Sequence, residues 1–599
     1  MADYRAPLED MRFVRDEVFH AEQEWQAMPS TAELNPELAD AILEEAGRLV
    51  EAELFPLNQR GDAEGCLFEG GKVRTPAGFR EAFLELARGG WCGLGGNPDH
   101  GGQGLPKLLT QAFDEMLYAS NASFALYLAL NNGAGLLLDA YADEATKALY
   151  LPRLYAGEWL GTMCLTEPHC GTDLGLIKTR AVPDGSGGYA ITGSKIWITG
   201  GEHDLTENIV HLVLAKLPEA PAGAKGISLF LVPKRRVHED GSLGEPNGVV
   251  CGGLEHKMGI KGSATCVMHF DEARGILIGE PHQGLATMFT MMNYERLSIG
   301  LQGLGLGDVA YQGAMAFARE RRQSRAPGGA DEPDQAADPI LVHPDVRRMA
   351  LDARAWNEGG RLFAAFVASE LDRAKYHPDA EVRDASADLV ALLTPVAKAF
   401  LTDRGFAATV EAQQLYGGNG YCVEWGAEQY VRDARIAMIY EGTNGIQAMD
   451  LVGRKLTRNR GAYVKRLVER VREDLGGGDD IEPALRPFRE AAMRELERLE
   501  RVSATLIEAA GKEPAAAGAA AHDYLHLLGH TLYAWMWFKA ARAANRGLSG
   551  NGPAGKDFYQ AKLVVGRHFL ERQLPRSESL ERQIAAGPEG LMALDRHLF

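Results

Sequence analysis

Three stretches of this sequence set chemistry-bearing side chains among closely spaced glycines. The first is CLTEPHCGTDLG (164–175), followed by KIWITGG (195–201); the second is ARERRQSR (318–325). The third, QQLYGGNGYCVEWGAEQYVRDARIAMIYEGTNGIQ (413–447), places Glu441 between Tyr440 and Gly442. Burial beside an aromatic ring raises a carboxylate pKa toward the operating pH, where a general base works best. A following glycine lets the backbone approach a ligand with no side chain in the way. The same Glu441 also fits a cap or an ion pair at a helix end. Glu295, in MMNYERLSIG, is a second carboxylate, and two such groups titrate together if they face one pocket. Arg321 and Arg322, taken alone, read as a solvated charge run.

The elements that position these residues follow from texture along the 599-residue chain, which is long enough for several cores. Residues 1–34 form an N-terminal extension of uncertain fold. From 35 to 160 the pattern is helical, and PELADAILEEAGRLVEAELFP is expected to stop at Pro56. GLGGNPDHGGQGLP is a Gly-rich loop within it. From 161 to 280, GGYAITGSKIWITGG, NIVHLVLAKL, GISLFLVP and CVMHFDEARGILIG alternate or run apolar between turn residues, predicting an antiparallel β domain. Helical periodicity returns over 281–458, broken by an exposed APGGADEPDQAADP loop. Residues 459–599 form a further helical module, with GGGDD and AAAGAAA as connecting pieces. LHLLGHTLYAWMWF (525–538) is too short and too interrupted to span a bilayer and reads as a buried helix.

Composition narrows the function. Hydrophobic residues make up 46%, ordinary for a globular protein, and the net charge of −19 argues against generic nucleic-acid binding. The seven cysteines are scattered with no C-x-x-C pair, so neither a zinc site nor a disulfide framework is expected, and a reducing cytoplasm suits them. The opening MADYRAPLEDMRF has no apolar run, so no secretory signal is expected. GLQGLGLG (300–307) lacks the G-x-G-x-x-G spacing and a preceding strand, and its small residues read as close helix packing. Walker and H-E-x-x-H motifs are absent from the sequence.

Taken together the motifs resemble the acyl-CoA dehydrogenase family, which shows T-E-P-x-x-G-[ST]-D, W-I-T-[NG]-G, Q-x-[YF]-G-G-x-G and R-D-[AS]-[RK]-I…I-Y-E-G-T in this order. The resemblance covers 35–455, and the long C-terminal part is similar to the extended, dimeric branch. YRAPLEDMRFVRDEV and YEGTNGIQAMDLVGRKL resemble the group acting on 3-methylmercaptopropionyl-CoA. The implied fold is multidomain α+β: a helical N-terminal domain, a middle β-barrel, a C-terminal four-helix bundle and an appended helical domain. The implied reaction takes an acyl-CoA to a trans-2-enoyl-CoA. Glu441 is the base, its own amide is one donor to the thioester carbonyl, and FAD N5 is the hydride acceptor. Some family members place the base where Glu295 stands; with Y-E-G-T intact, Glu295 is read as a pocket or salt-bridge residue.

By the same resemblance, Leu165 and Thr166 meet the pyrimidine edge of the flavin, and Thr172 lies near flavin and the pantetheine phosphate. Trp197, Ile198 and Thr199 pack on its face, although Trp197 also fits a core aromatic. Arg321 and Gln323 match holders of the neighbouring subunit's pyrophosphate. Gln414, Gly417 and Gly418 fit adenine and phosphates, and Thr443 is a further FAD contact. Asn293, Arg296, Tyr440 and Gly442 match substrate positions, with a surface ion pair to Glu295 or Asp308 as the plain alternative for Arg296. Gln323 replaces the usual Thr, and the R-x-x-F-G extension is missing. His169 and Cys170 replace small residues and have no metal-ligand partner at suitable sequence spacing. Implied partners are the acyl-CoA, an electron-transfer flavoprotein and a second copy of the chain, with no nucleic acid and no integral membrane contact. An acyl-CoA oxidase shares these motifs, and a silent CoA- or flavoprotein-binding scaffold is the reading from another class; retention of Glu441 argues against the latter.

Overall fold

The computed structural model describes residues 3–476, 481–550 and 552–599. Contacts divide the chain into two compact units: Met1–Arg48, Lys107–Ala119 and Ile299–Phe599 in one, Leu49–Pro106 and Ser120–Ser298 in the other. Helices α1 (Leu8–Arg12), α2 (Lys107–Tyr141), α3 (Gly284–Glu320), α4 (Pro344–Tyr376), α5 (Ala380–Leu415), α6 (Asn444–Asp450), α7 (Pro514–Ser549) and α8 (Lys556–His568) carry the contacts that matter for the site.

The second unit is built on seven strands: β1 (Trp159–Cys164), β2 (Arg180–Pro183), β3 (Tyr189–Thr199), β4 (Asn208–Lys216), β5 (Ile227–Pro233), β6 (Val249–Leu254) and β7 (Thr265–Ile278). Strands β3, β2, β4, β5 and β7 pair in a closed ring, with β1 and β6 added outside it, so the expected barrel is present. The sheet is not wholly antiparallel as expected. β1 runs parallel to β4 from Trp159 opposite Asn208 to Cys164 opposite Val213. A parallel neighbour needs a long crossover, and residues 165–207, carrying β2 and β3, supply it. Both β4 and β5 are buried along nearly their whole length, which explains their unbroken apolar runs. Their Val210, Leu212, Leu229 and Leu231 join Leu137, Leu151 and Met291 in one core.

Two expectations fail in the same unit. The run from 35 to 160 holds a hairpin, Leu67–Glu69 with Lys72–Arg74, turned by Gly70 and Gly71, both at positive φ. Two glycines in a row are the sequence signal for that turn. Nor does helix stop at Pro56. A π-helical segment, Val50–Leu54, leads directly into Phe55–Glu64, and the Phe55 amide bonds back to the Val50 carbonyl. The wider turn shifts the hydrogen-bond register, so the missing proline donor falls in the first turn of the next segment.

The first unit is helical. The 300–307 glycines act as spacers, as expected. A Cβ on Gly305 would lie 2.7 Å from the Glu115 carbonyl of α2, and one on Gly405 of α5 would lie 2.0 Å from the Gly303 carbonyl of α3. Gly405→Ala is therefore expected to force α3 and α5 apart, at a cost of about 1–3 kcal/mol, read as a lower urea midpoint at unchanged far-UV circular dichroism.

Arg361 of α4 is the electrostatic centre of this unit. It reaches Glu115 of α2, Asp10 of α1 and Asp308 of α3. Lys562 of α8 pairs with the same Asp10 and with Glu358 at 2.8 Å. The N-terminal extension is thus helical and fastened to the last third of the chain. AAAGAAA is not a connector: it is the first two turns of α7, as the high helix propensity of alanine favours. Of GGGDD, residues 477–480 lie outside the described residues. The 525–538 stretch is buried in α7. Among the described residues one helix, Ala380–Leu415, is long and apolar enough to cross a membrane, and 78% of that window is buried.

Candidate functional site

The Glu441 turn lies between the helix Ala427–Arg435, extended by the 3-10 turn Ile436–Met438, and α6. Glu441 sits at φ +55° and Gly442 at φ +82°. A left-handed conformation at a glutamate costs on the order of 1–3 kcal/mol and persists only where its surroundings enforce it. They do so here. Gln447 Nε2 donates to the Glu441 carbonyl at 3.0 Å, and Lys398 Nζ donates to the Gly442 carbonyl at 2.8 Å. A Cβ on Gly442 would lie 2.7 Å from Gln447 Nε2 and displace the donor that holds the Glu441 carbonyl, while φ +82° itself favours glycine. Thr443 caps α6, its Oγ1 accepting from the Ile446 amide at 3.2 Å. The Tyr440 hydroxyl donates to Gln302 Oε1 of α3 at 2.5 Å.

Sequence reading missed Lys398, Gln302, Asn444 and Gln447. One of them carried a signal: Lys398 is a lone cation in the apolar run LLTPVAKAFL and is fully buried. A charge is buried only when something pairs with it.

At the end of α3, Phe317 packs on Tyr416 and Trp425, with ring centroids 4.8 and 5.4 Å away. This ties the Arg321 segment to the loop carrying Gln414, Gly417 and Gly418. A Cβ on Gly417 or Gly418 would meet nothing within 4 Å, so both present open backbone. The loop after Arg321 folds around Asp338, whose carboxylate accepts from the amides of Ala326, Asp331 and Glu332. Those bonds hold Asp338 well below the usual carboxylate range. Arg325 pairs with Asp338 and Arg322 with Glu332, whereas the exposed Arg321 guanidinium has no ion pair among the described residues. Arg321 is therefore not one member of a uniform charge run. Gln323 takes part through its backbone, its amide donating to the Asp338 carbonyl and its carbonyl meeting His343.

In the barrel unit, the β3–β7 pairing shifts register between Lys195 and Ile198, a bulge that sets Trp197 at φ +63°. Its indole is 55% exposed, which rules out the core-aromatic alternative. Ile198 is buried, leaving its backbone as the group able to touch a ligand. Thr199, half-buried, pairs with Thr265. The Ile196 amide donates to the Thr166 carbonyl at 2.9 Å, and Lys195 Nζ to the Leu165 carbonyl at 2.9 Å, so these two segments are brought together. Thr172 is exposed on the following loop.

His169 and Cys170 do have a neighbour in space, contrary to the sequence reading: their donor atoms and a Glu167 oxygen lie within 4.8 Å of one another. The turn from Glu167 to Cys170 makes this approach. Both Glu167 oxygens are already committed, to Lys195, Thr179 and the Lys178 amide. Burial works to raise Glu167, but Lys195 and these hydrogen bonds outweigh it and hold it below its ordinary pKa. The trio is an anchoring turn.

On the first half of α3, Arg296 Nη1 donates to Asn293 Oδ1 at 3.3 Å. Arg296 is buried rather than on a helix surface, and Asp308 faces Arg361 and Gln312. Glu295 is 1% exposed, and a Cβ on Gly133 of α2 would lie 2.7 Å from its Oε1. That glycine makes room for the carboxylate.

These features fit FAD. An exposed indole on a bulged strand suits a flat, largely apolar ring, and an uncommitted guanidinium near open glycine backbone suits a pyrophosphate.

Comparison with known proteins gives four family-model matches. They are acyl-CoA dehydrogenase N-terminal domain over residues 36–158, middle domain over 162–273, C-terminal domain over 282–456, and acetyl-CoA dehydrogenase C-terminal like over 465–595. The chain is 39% identical to 3-methylmercaptopropionyl-CoA dehydrogenase of Ruegeria pomeroyi over 98% of this chain and 99% of that one. Among solved structures, Caenorhabditis elegans ACDH-11 in complex with C11-CoA matches with a TM-score of 0.78 at 18% identity, covering 98% of this chain and 95% of that one. Acyl-CoA dehydrogenase complexed with FAD from Bacillus anthracis matches with a TM-score of 0.74 at 21% identity, covering 94% and 90%.

Proposed function

This chain belongs to the acyl-CoA dehydrogenase family, and on that footing we propose that it oxidises the Cα–Cβ bond of 3-methylmercaptopropionyl-CoA with FAD as cofactor and Glu441 as base. The observation that carries the reading is the enforced left-handed turn at Glu441. A strained glutamate held by a buried lysine and a glutamine is what a fixed reacting group requires and what a helix-end cap does not. The substrate follows from the name of the Ruegeria pomeroyi relative, whose likeness runs the length of both chains.

A thioester α-proton is a very weak acid, so its removal needs stabilisation of the enolate as it forms. Preorganised donors provide this without reorganising during the reaction. Glu441 takes the proton from C2, and its own amide donates toward the thioester carbonyl. Gly442 leaves room for that approach. When bound, FAD supplies the acceptor for the β-hydride. Leu165, Thr166, Trp197, Ile198 and Thr199 would hold its ring, Gln414, Gly417 and Gly418 would fit adenine and phosphates, Thr443 would make a further FAD contact, and Arg321 and Gln323 would hold the pyrophosphate of the neighbouring subunit's FAD. Thr172, Asn293, Arg296 and Tyr440 would orient the acyl-CoA. The product is a trans-2-enoyl-CoA, the electrons pass to an electron-transfer flavoprotein, and the working unit is a cytoplasmic homodimer.

A substrate panel tests the reading. kcat/KM for 3-methylmercaptopropionyl-CoA is expected to exceed that for butanoyl- through palmitoyl-CoA. A strong preference for long chains would remove the sulfur substrate, and a colourless protein that takes up no FAD would remove the whole proposal.

A further inference from the structure

The carbonyls of the Glu441 turn are the near end of a chain of buried polar contacts that reaches α7. Lys398 Nζ, which donates to Gly442, also donates to Asn444 Oδ1 at 2.8 Å. Asn444 Nδ2 donates to Asp403 Oδ1 at 2.7 Å and to Thr402 Oγ1 at 3.0 Å. The other oxygen of Asp403 meets His526 Nε2 of α7 at 2.9 Å. Lys398, Asp403 and Asn444 come from the core of the bundle, whereas His526 comes from the module after residue 459. Its seat is made by packing: the His526 ring lies 5.5 Å from the Phe400 ring, and a Cβ on Gly529 would lie 2.4 Å from Phe400 Cδ2. Lys398, Asn444 and His526 are buried and Asp403 nearly so.

We propose that α7 is a positioning element for the base: His526 orients Asp403, Asp403 orients Asn444, and Asn444 with Lys398 fixes the Gly442 carbonyl and hence the left-handed Glu441. The inference rests on the reading of Glu441 as the base. The direction of each bond is set by chemistry. Lys398 can only donate, the ionised Asp403 can only accept, and Asn444 has one group of each kind, so its amide is locked in one orientation. His526 then donates through Nε2. Burial holds its pKa below the ordinary value, which suits a neutral donor, while burial works to raise Asp403 and the contacts from His526 and Asn444 outweigh it. A chain with a unique donor direction transmits geometry, and a displacement near 1 Å at a reacting group costs about 10²-fold in rate.

The test uses the full-length, FAD-loaded protein, 3-methylmercaptopropionyl-CoA or the best thioester of the panel, and anaerobic flavin bleaching. His526→Leu is expected to slow bleaching by about 10-fold, with FAD content retained and substrate Kd within about twofold. His526→Gln, which keeps a neutral donor, is expected to recover to within about threefold of the parent. Asp403→Asn, nearly isosteric, should fall at least as far as His526→Leu, and it stands in if the leucine variant does not fold. Unchanged bleaching in His526→Leu or Asp403→Asn overturns the proposal. So does an equal loss in the leucine and glutamine variants, because packing alone would then explain it. Glu441→Gln, run alongside, separates the two readings: rapid bleaching there removes the base assignment, whatever His526 does.

Discussion

Glu441→Gln is expected to leave FAD bound and the fold intact while slowing substrate-driven bleaching by at least about 10³-fold, within the range for loss of a positioned base. Glutamine has nearly the volume of glutamate and faces the same φ of +55°, so the turn is strained no further. The bonds from Gln447 and Lys398 end on backbone carbonyls and do not depend on the side chain replaced. Glu295→Gln supplies the contrast. That side chain is buried against Gly133, and its amide should keep most of the rate. Stopped-flow absorbance of the flavin, with both variants beside the parent, decides the matter; a slow Glu295→Gln with a fast Glu441→Gln would reverse the roles.

The largest expected effect on stability belongs to Arg361→Leu. In the parent, one guanidinium serves Glu115, Asp10 and Asp308, and Lys562 shares Asp10. Burial pushes Glu115 up to about 7 and raises Asp308 in spite of Arg361. Removing the cation leaves buried carboxylates to ionise without it, a loss of about 3–5 kcal/mol. The pH dependence has a definite sign. A carboxylate whose folded pKa is raised favours the folded state below its unfolded pKa and ceases to do so as pH climbs through the folded value. For Glu115 that window runs from about 4.5 to about 7 in the parent and extends higher without Arg361. The drop in Tm should therefore be larger at pH 8 than at pH 5. Calorimetry at the two pH values checks this, and equal drops would mean that the cluster contributes packing alone.

What the sequence made legible is local. The strand runs of β4 and β5, the small residues at 300–307 and the Tyr-Glu-Gly-Thr turn each carry their reason within a few neighbours. What it hid is relational. Pro56 reads as a stop unless the π turn before it is known, and β1 is not among the strands read from the sequence; its place is set by its parallel partner β4. Trp197 could not be assigned to surface or core, because a one-residue bulge decides it. Lys398 and Asp403 share α5, but His526 lies 123 residues beyond Asp403; only their meeting beneath the Glu441 turn gives Asp403 and His526 a role. Of the flavin-side residues, Ile198 shows the limit most plainly: its motif marked the position, but not that its side chain is buried.

The pairing of Asp10 with Lys562 also bears on how the molecule is made. The two are 552 residues apart, and ribosomes add roughly 5–20 residues per second. The first helix accordingly waits about half a minute to two minutes before Lys562 emerges, with Phe13, which packs on Phe558 and Tyr559, uncovered on that side meanwhile. A nascent chain in that condition is a natural client for holding chaperones, and closure of the helical unit becomes a late event of synthesis.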